Sequence, residues 1–202
     1  EISYLDILNR DLKVMDSTAT ALCKDNNIPL LVFAISDPDN IVKALIATED
    51  ARFEKHSGID FWALIRVFFK RIILGQKSAG GGSTITQQLA KQLYSPPADN
   101  IFYRLIQKPI EWVIAIRLER LYTKQEIITM YLNKFDFLNN AIGIKTAAQV
   151  YFGVAPKDLK IEQSATLVGM LKNPSYFNPL RRNERTRNRR NVVLSQMLKA
   201  DY

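Results

Sequence analysis

Helix-start signals recur along this chain and constrain its fold more than any other feature. Asp37-Pro38 reads as an N-cap followed by proline at the first helical position, where a missing N–H costs nothing, and opens a helix through about Asp50. Thr84 with Gln87, and Thr123 with Glu126, have the spacing of capping boxes and open helices to about Leu93 and Asn133. Apolar periodicity adds helices over 61–74, 101–121, 161–171 and 183–199. Pro109 interrupts or kinks the second of these, because it has no N–H to donate. One short strand fits residues 30–35 (LLVFAI). With no βα alternation, no internal repeat and no sustained heptad, the expected fold is all-α, mainly helical: a single irregular globular domain across 1–202 rather than a coiled coil.

Composition narrows the function classes. Hydrophobic residues make up 47%, enough for a core and too many for a disordered chain. The formal charge of +8 favours an anionic partner (nucleic acid, a membrane surface or a phosphorylated substrate), or else reflects a solvated basic surface. The single cysteine, Cys23, excludes an intramolecular disulfide, and with a single histidine, His56, a His/Cys metal cluster is not expected. No run of about 18 apolar residues could span a bilayer. The chain begins at Glu1 without a methionine and reads as a processed or excised piece, so any anchor of a parent protein lies outside it.

Three segments could carry chemistry. In ATEDARFEKHSG, Glu49, Phe53 and His56 are spaced i, i+4, i+7 and share one face if the first helix runs that far, setting an acid beside an aromatic ring and a histidine. Taken alone, the segment also fits a helix end with ordinary surface charges. In GGGSTITQQLAK, glycines lead into a helix whose first free N–H groups can hold an anionic oxygen, with the Ser83 and Thr84 hydroxyls beside it and Gln88 and Lys91 on the same face as Thr84. It is not a nucleotide loop, since GxxxxGK[ST] is absent, and alone it also fits a flexible loop before a capped helix. In QKPIEWVIAIRLER, Lys108 and Glu111 form an i, i+3 pair, followed by Arg117 and Arg120, which alone reads as a surface ion pair of small worth.

Together these segments resemble the peptidoglycan glycosyltransferases, glycosyltransferase family 51, found in class A penicillin-binding proteins and monofunctional transglycosylases. The family's first motif, ED-x-x-F-x-x-H-x-G, stands as Glu49-Asp50, Phe53, His56 and Gly58; its second, GGST-x-TQQ-x-x-K, is complete from Gly81 to Lys91. The third, RK-x-x-E, is present as Gln107-Lys108-Pro109-Ile110-Glu111, and the fourth as Lys124, Ile127, Tyr131, Leu132 and Asn133. A looser fifth matches RRNVVLSQM from Arg189, and AAQVYFG and NPSYFNP also look like the family. The likeness covers roughly residues 40–200. Gln107 and Thr129 replace the usual Arg and Glu, Arg104 stands near where the family often has an arginine, and Pro109 is unusual in that helix; these departures bear on the pyrophosphate contacts more than on the reaction.

The resemblance implies a lysozyme-like fold with a small membrane-associated subdomain at about 59–80. It implies polymerisation of lipid II into β-1,4-linked glycan, with undecaprenyl pyrophosphate displaced and configuration inverted. A sugar hydroxyl is a poor nucleophile, so a carboxylate must take its proton, and Glu49 is assigned as that base. Cations must stabilise the leaving pyrophosphate: Lys91 and Lys108, helped by Arg104 or Arg117. Glu111 either orients those cations or holds a divalent metal. Gly82, Ser83, Thr84 and Gln88 position donor and acceptor, with Asp50, Phe53 and His56 shaping the site around Glu49. No cofactor is obligatory, and Mg or Mn at the pyrophosphate is the candidate ion.

The partners implied are lipid II, the growing glycan strand, the membrane surface and other cell-wall synthesis proteins, on the outer, periplasmic face of the bacterial cytoplasmic membrane. The helix over 61–74 is too short to span. It either inserts partly into the bilayer or lies buried in the core. The arginine-rich run Arg181 to Arg190 has no nucleic-acid motif and no interleaved aromatics, so nucleic acid is not expected as a partner. That run faces anionic headgroups or the donor's phosphate end, or is a solvated helix face. A lytic, lysozyme-like enzyme cleaving the same glycan is the alternative, but GGSTITQQLAK has no obvious task there.

Overall fold

A computed structural model describes residues 40–70, 75, 81–94 and 101–202, with the backbone alone for 101–105. The strand expected at 30–35, the Asp37-Pro38 start, Cys23, the last four residues of the 61–74 helix and the Arg104 side chain lie outside the described residues. Eight α-helices and two 3-10 turns are described, with no strand among these residues beyond an isolated bridge between Asp136 and Ile142. The fold is all-α.

Helix α1 (Asn40–Glu49) buries Ile41, Ala44, Leu45 and Ala47 and ends at Glu49. The helix does not run on to His56 as the i, i+4, i+7 spacing suggested; Phe53–Lys55 is instead a 3-10 turn. The reason lies in Asp50, whose carboxylate leaves its own helix to accept the Ile85 N–H at 3.0 Å. Helix α2 (Phe61–Phe68) is N-capped by Asp60, which accepts from Ala63 N at 3.1 Å. None of its residues is buried, so the core-helix alternative is overturned for the described part.

Helix α3 (Ile85–Tyr94) starts where Thr84 Oγ accepts the Gln87 N–H at 3.1 Å, one arm of the expected box. Helix α4 (Ile101–Leu121) runs unbroken past Pro109, correcting the expected interruption: proline removes one donor, while the bonds on either side persist. Helix α5 (Lys124–Lys134) has the full Thr123–Glu126 capping box. Helix α6 (Gly143–Phe152) carries no start signal, since its N-cap Ile142 makes no side-chain bond, and it went unanticipated. It stops at Gly153, which is left-handed at φ 68°. The turn Pro156–Asp158 leads to α7 (Ile161–Leu171), and α8 (Asn183–Lys199) closes the fold; both match the expected bounds.

Packing follows two groups. Helices α1, α7 and α8 pack on one another, α3 packs on α4 and α5, and α6 touches both α5 and α7. One core joins them, with Leu45, Phe53, Ile85, Leu89, Tyr131, Leu167 and Met197 among its members. Gly58, at φ +94°, lets the segment after Phe53 lie on α4: a Cβ there would sit 2.8 Å from the Ala115 carbonyl.

Candidate active site

Glu49 is placed by the C-terminal end of α1 and keeps 18% of its side chain exposed. Gln88, from the first turn of α3, donates its Nε2 to Glu49 Oε2 at 3.0 Å. On the other side, Arg189 Nη2 of α8 lies 3.8 Å from Glu49 Oε1. The Arg189 stem crosses α7 at Gly169, where a Cβ would come within 3.1 Å of its Cγ. Thus three helices meet at one carboxylate that can still be reached from outside.

The neighbouring residues of the first motif face inward. Asp50 is buried and accepts from Ile85 N, while His56 Nε2 lies 3.0 Å and 3.1 Å from its two oxygens. His56 Nδ1 accepts from Gly58 N at 3.3 Å, which assigns the ring proton to Nε2 and makes that atom the donor to Asp50. Phe53 is fully buried, edge-on to His56 with ring centroids 6.0 Å apart. Lys124 closes this layer: it donates to the His56 carbonyl at 2.7 Å, pairs with Glu119 at 2.8 Å and sits 4.2 Å over the Phe53 ring. Thr84 is also inward, its hydroxyl donating to the Gly58 carbonyl at 2.7 Å.

A cationic pole forms at the start of α3. Lys108 Nζ pairs with Glu111 at 2.8 Å and donates to Ser83 Oγ at 3.4 Å. Glu111 is buried, whereas Lys108 keeps 48% of its side chain exposed. Gly82 lies against α2, where a Cβ would stand 3.3 Å from Leu64 Cδ2. Lys91 is exposed one turn beyond Gln88. Arg117 is exposed as well, but it follows Lys108 by nine residues, about half a turn out of phase at 3.6 residues per turn, so it does not join this pole. Ser83 stands just before α3 and Gln88 in its first turn, so the start of this helix carries both the contact to Lys108 and the contact to Glu49. No group of three His, Cys, Asp or Glu side chains suited to a metal occurs among the described residues, and these residues form no metal cage.

The model of the Transglycosylase family matches residues 24–198. The chain belongs to the transglycosylase family. Within that family, it is 44% identical over 165 residues to penicillin-binding protein 1A of Escherichia coli, covering 82% of this chain and 19% of that protein. It is 42% identical over 163 residues to penicillin-binding protein 2a of Streptococcus pneumoniae strain D39 (81% and 21%), and 36% identical over 199 residues to penicillin-binding protein 1F of Bacillus subtilis (97% and 27%). The chain therefore spans about a fifth to a quarter of the curated relatives it matches.

In this transglycosylase domain, the structure brings Glu49 together with Gln88, and Ser83 with Lys108 and Glu111. It turns Asp50, Phe53, His56 and Thr84 toward the interior. Sequence reading placed Arg189 in an arginine-rich run and at the start of the looser fifth motif, but did not name it as a site residue. A signal was present: Arg189, Val193 and Met197 are spaced i, i+4, i+8, and the last two are buried, so Arg189 shares the inward face of α8. Arg182 and Arg185 of the same run instead lie over the Tyr176 ring, at 5.5 Å and 4.5 Å.

Proposed function

We propose that this transglycosylase domain is a peptidoglycan glycosyltransferase that polymerises lipid II. The observation that carries this reading is the join made at the start of α3: an acid held by Gln88 in its first turn, and a lysine on Ser83 just before it. Glu49 takes the proton of the acceptor 4-hydroxyl as that oxygen attacks the anomeric carbon of the donor chain. The bond to the pyrophosphate breaks on the opposite face, and a β-1,4 linkage replaces an α-linked leaving group. Lys108, kept in place by Glu111, and Lys91 meet the negative charge growing on the pyrophosphate. No step of this reading passes through a metal, and Arg117 is left out of it.

The substrate is lipid-linked, so the domain works at the outer face of the cytoplasmic membrane, with the growing strand and other cell-wall proteins as partners. What supports the membrane side is α2, whose Phe61, Trp62, Ile65 and Phe68, with the following Phe69, are each more than half exposed, while Leu64 and Val67 turn toward Gly82. No helix among the described residues is long and apolar enough to cross a membrane.

Labelled lipid II and purified glycan, offered separately to the chain, test the reading. Polymer from lipid II supports it. Release of muropeptides from glycan with no polymer would replace it with the lytic enzyme.

A further inference from the structure

Behind Glu49 lies a second layer of side chains. Tyr131, in the middle of α5, is fully buried, and its hydroxyl donates to Gln88 Oε1 at 3.0 Å. The opposite end of the same amide donates from Nε2 to Glu49 at 3.0 Å. A primary amide has two ends of nearly identical shape and opposite polarity, so its orientation matters. Turned over, Gln88 would bring its carbonyl oxygen against the Glu49 carboxylate, two acceptors with no proton between them. Turned as observed, it gives Glu49 a donor and leaves its carbonyl in need of one. Among the described residues, the Tyr131 hydroxyl is that donor. Burial holds the phenol in its protonated form far above the ordinary tyrosine range, so the proton is there to give.

We propose that Tyr131 is a positioning residue for the reaction: by anchoring the Gln88 carbonyl, it fixes the amide so that its N–H holds the Glu49 carboxylate in one rotamer, aimed at the acceptor hydroxyl. Gln88 accordingly acts on Glu49 rather than gripping a sugar. The chain of contacts runs from α5 through α3, which pack on each other, to the end of α1, and Leu45, Leu89 and Ile127 of these helices belong to one core. A base on a helix end has the freedom of its own side-chain torsions, and misplacement by about 1 Å costs on the order of 10²-fold in rate. The Tyr131–Gln88 pair removes that freedom while holding only Oε2 of the carboxylate.

This inference rests on the polymerising activity proposed above, and a four-member cycle keeps the two apart. Wild type, Tyr131→Phe, Gln88→Met and the double variant are assayed for kcat and KM on lipid II, with thermal unfolding of each in parallel. Tyr131→Phe removes one oxygen; kcat is expected to fall about tenfold with KM within about twofold of wild type. In the Gln88→Met background the same change is expected to alter kcat by less than about twofold, because Tyr131 acts only through the amide. Equal losses in both backgrounds would mark Tyr131 as merely structural and overturn the proposal. If Tyr131→Phe does not fold, Gln88→Met alone decides: lowered kcat at unchanged KM supports the positioning role, and raised KM at unchanged kcat overturns it. A wild-type chain that makes no polymer overturns the functional reading and this one with it; an active wild type with an additive cycle overturns this one alone.

Discussion

The Asp50 carboxylate accepts the Ile85 backbone N–H at 3.0 Å, so the residue beside the proposed base is built into the first turn of α3. The two best-matched motifs are thereby one structural unit. Asp50 caps the helix that carries Gln88, and Gln88 returns to hold Glu49.

Asp50→Ala is accordingly expected to cost about 1–2 kcal/mol of stability, the usual price of an N-cap, and to lower polymerisation by loosening α3. Asp50→Asn retains an oxygen for the Ile85 N–H and should keep most of the stability. Chemical denaturation of the three chains checks this; equal stability of Asp50→Ala and wild type would contradict it.

The cationic pole predicts a contrast along α4. Lys108→Met removes the cation held between Glu111 and Ser83, and should lower the polymerisation rate by about 10²-fold, the scale of losing one donor to a developing anion. Arg117→Met, about half a turn away, should change the rate by less than about threefold. Initial rates with labelled lipid II measure both, and equal losses would place Arg117 back in the site.

The exposed face of α2 predicts membrane affinity. Phe68 and Phe69 are 60% and 52% exposed, and burying such rings in the headgroup boundary gains roughly 1.5–3 kcal/mol each. The double change Phe68→Ser with Phe69→Ser should reduce liposome flotation at least about tenfold. Unchanged flotation would assign this face another partner.

Alkaline pH should expose Tyr131. Its phenol is raised above 10.0, first by burial and then by the Glu49 charge. A folded-state value above the unfolded one means that the stabilisation is complete below about pH 10 and is lost as pH rises beyond it, because the unfolded phenol then ionises while the folded one resists. Between pH 9 and 11 the midpoint of thermal unfolding should fall more steeply for wild type than for Tyr131→Phe. Parallel slopes would deny the burial effect.

Much of this was legible from local chemistry. Thr123–Glu126 and the periodic runs of α7 and α8 declare themselves because cap and pattern agree over a whole helix. Helix α6 was silent, since it begins on Ile142 and Gly143 without a capping side chain and is held by packing on α5 and α7. The shared face of Glu49, Phe53 and His56 failed because a tertiary bond from Asp50 ended α1 early, and no spacing within the segment records a bond to Ile85. The motifs named Glu49, Gln88 and Lys108. They could not tell that the Thr84 and His56 side chains are buried or that Arg189, within a basic run, lies beside Glu49.

The central claim is that Glu49 removes the proton from the acceptor hydroxyl. Its most direct test is the single-turnover rate of glycan formation by Glu49→Gln, a change that keeps the side chain's size and can still hydrogen-bond Gln88. Lipid II binding is measured on the same protein. Loss of at least about 10²-fold in rate, with lipid II binding and unfolding temperature near wild type, is the predicted result. A Glu49→Gln chain that polymerises lipid II at the wild-type rate would contradict it.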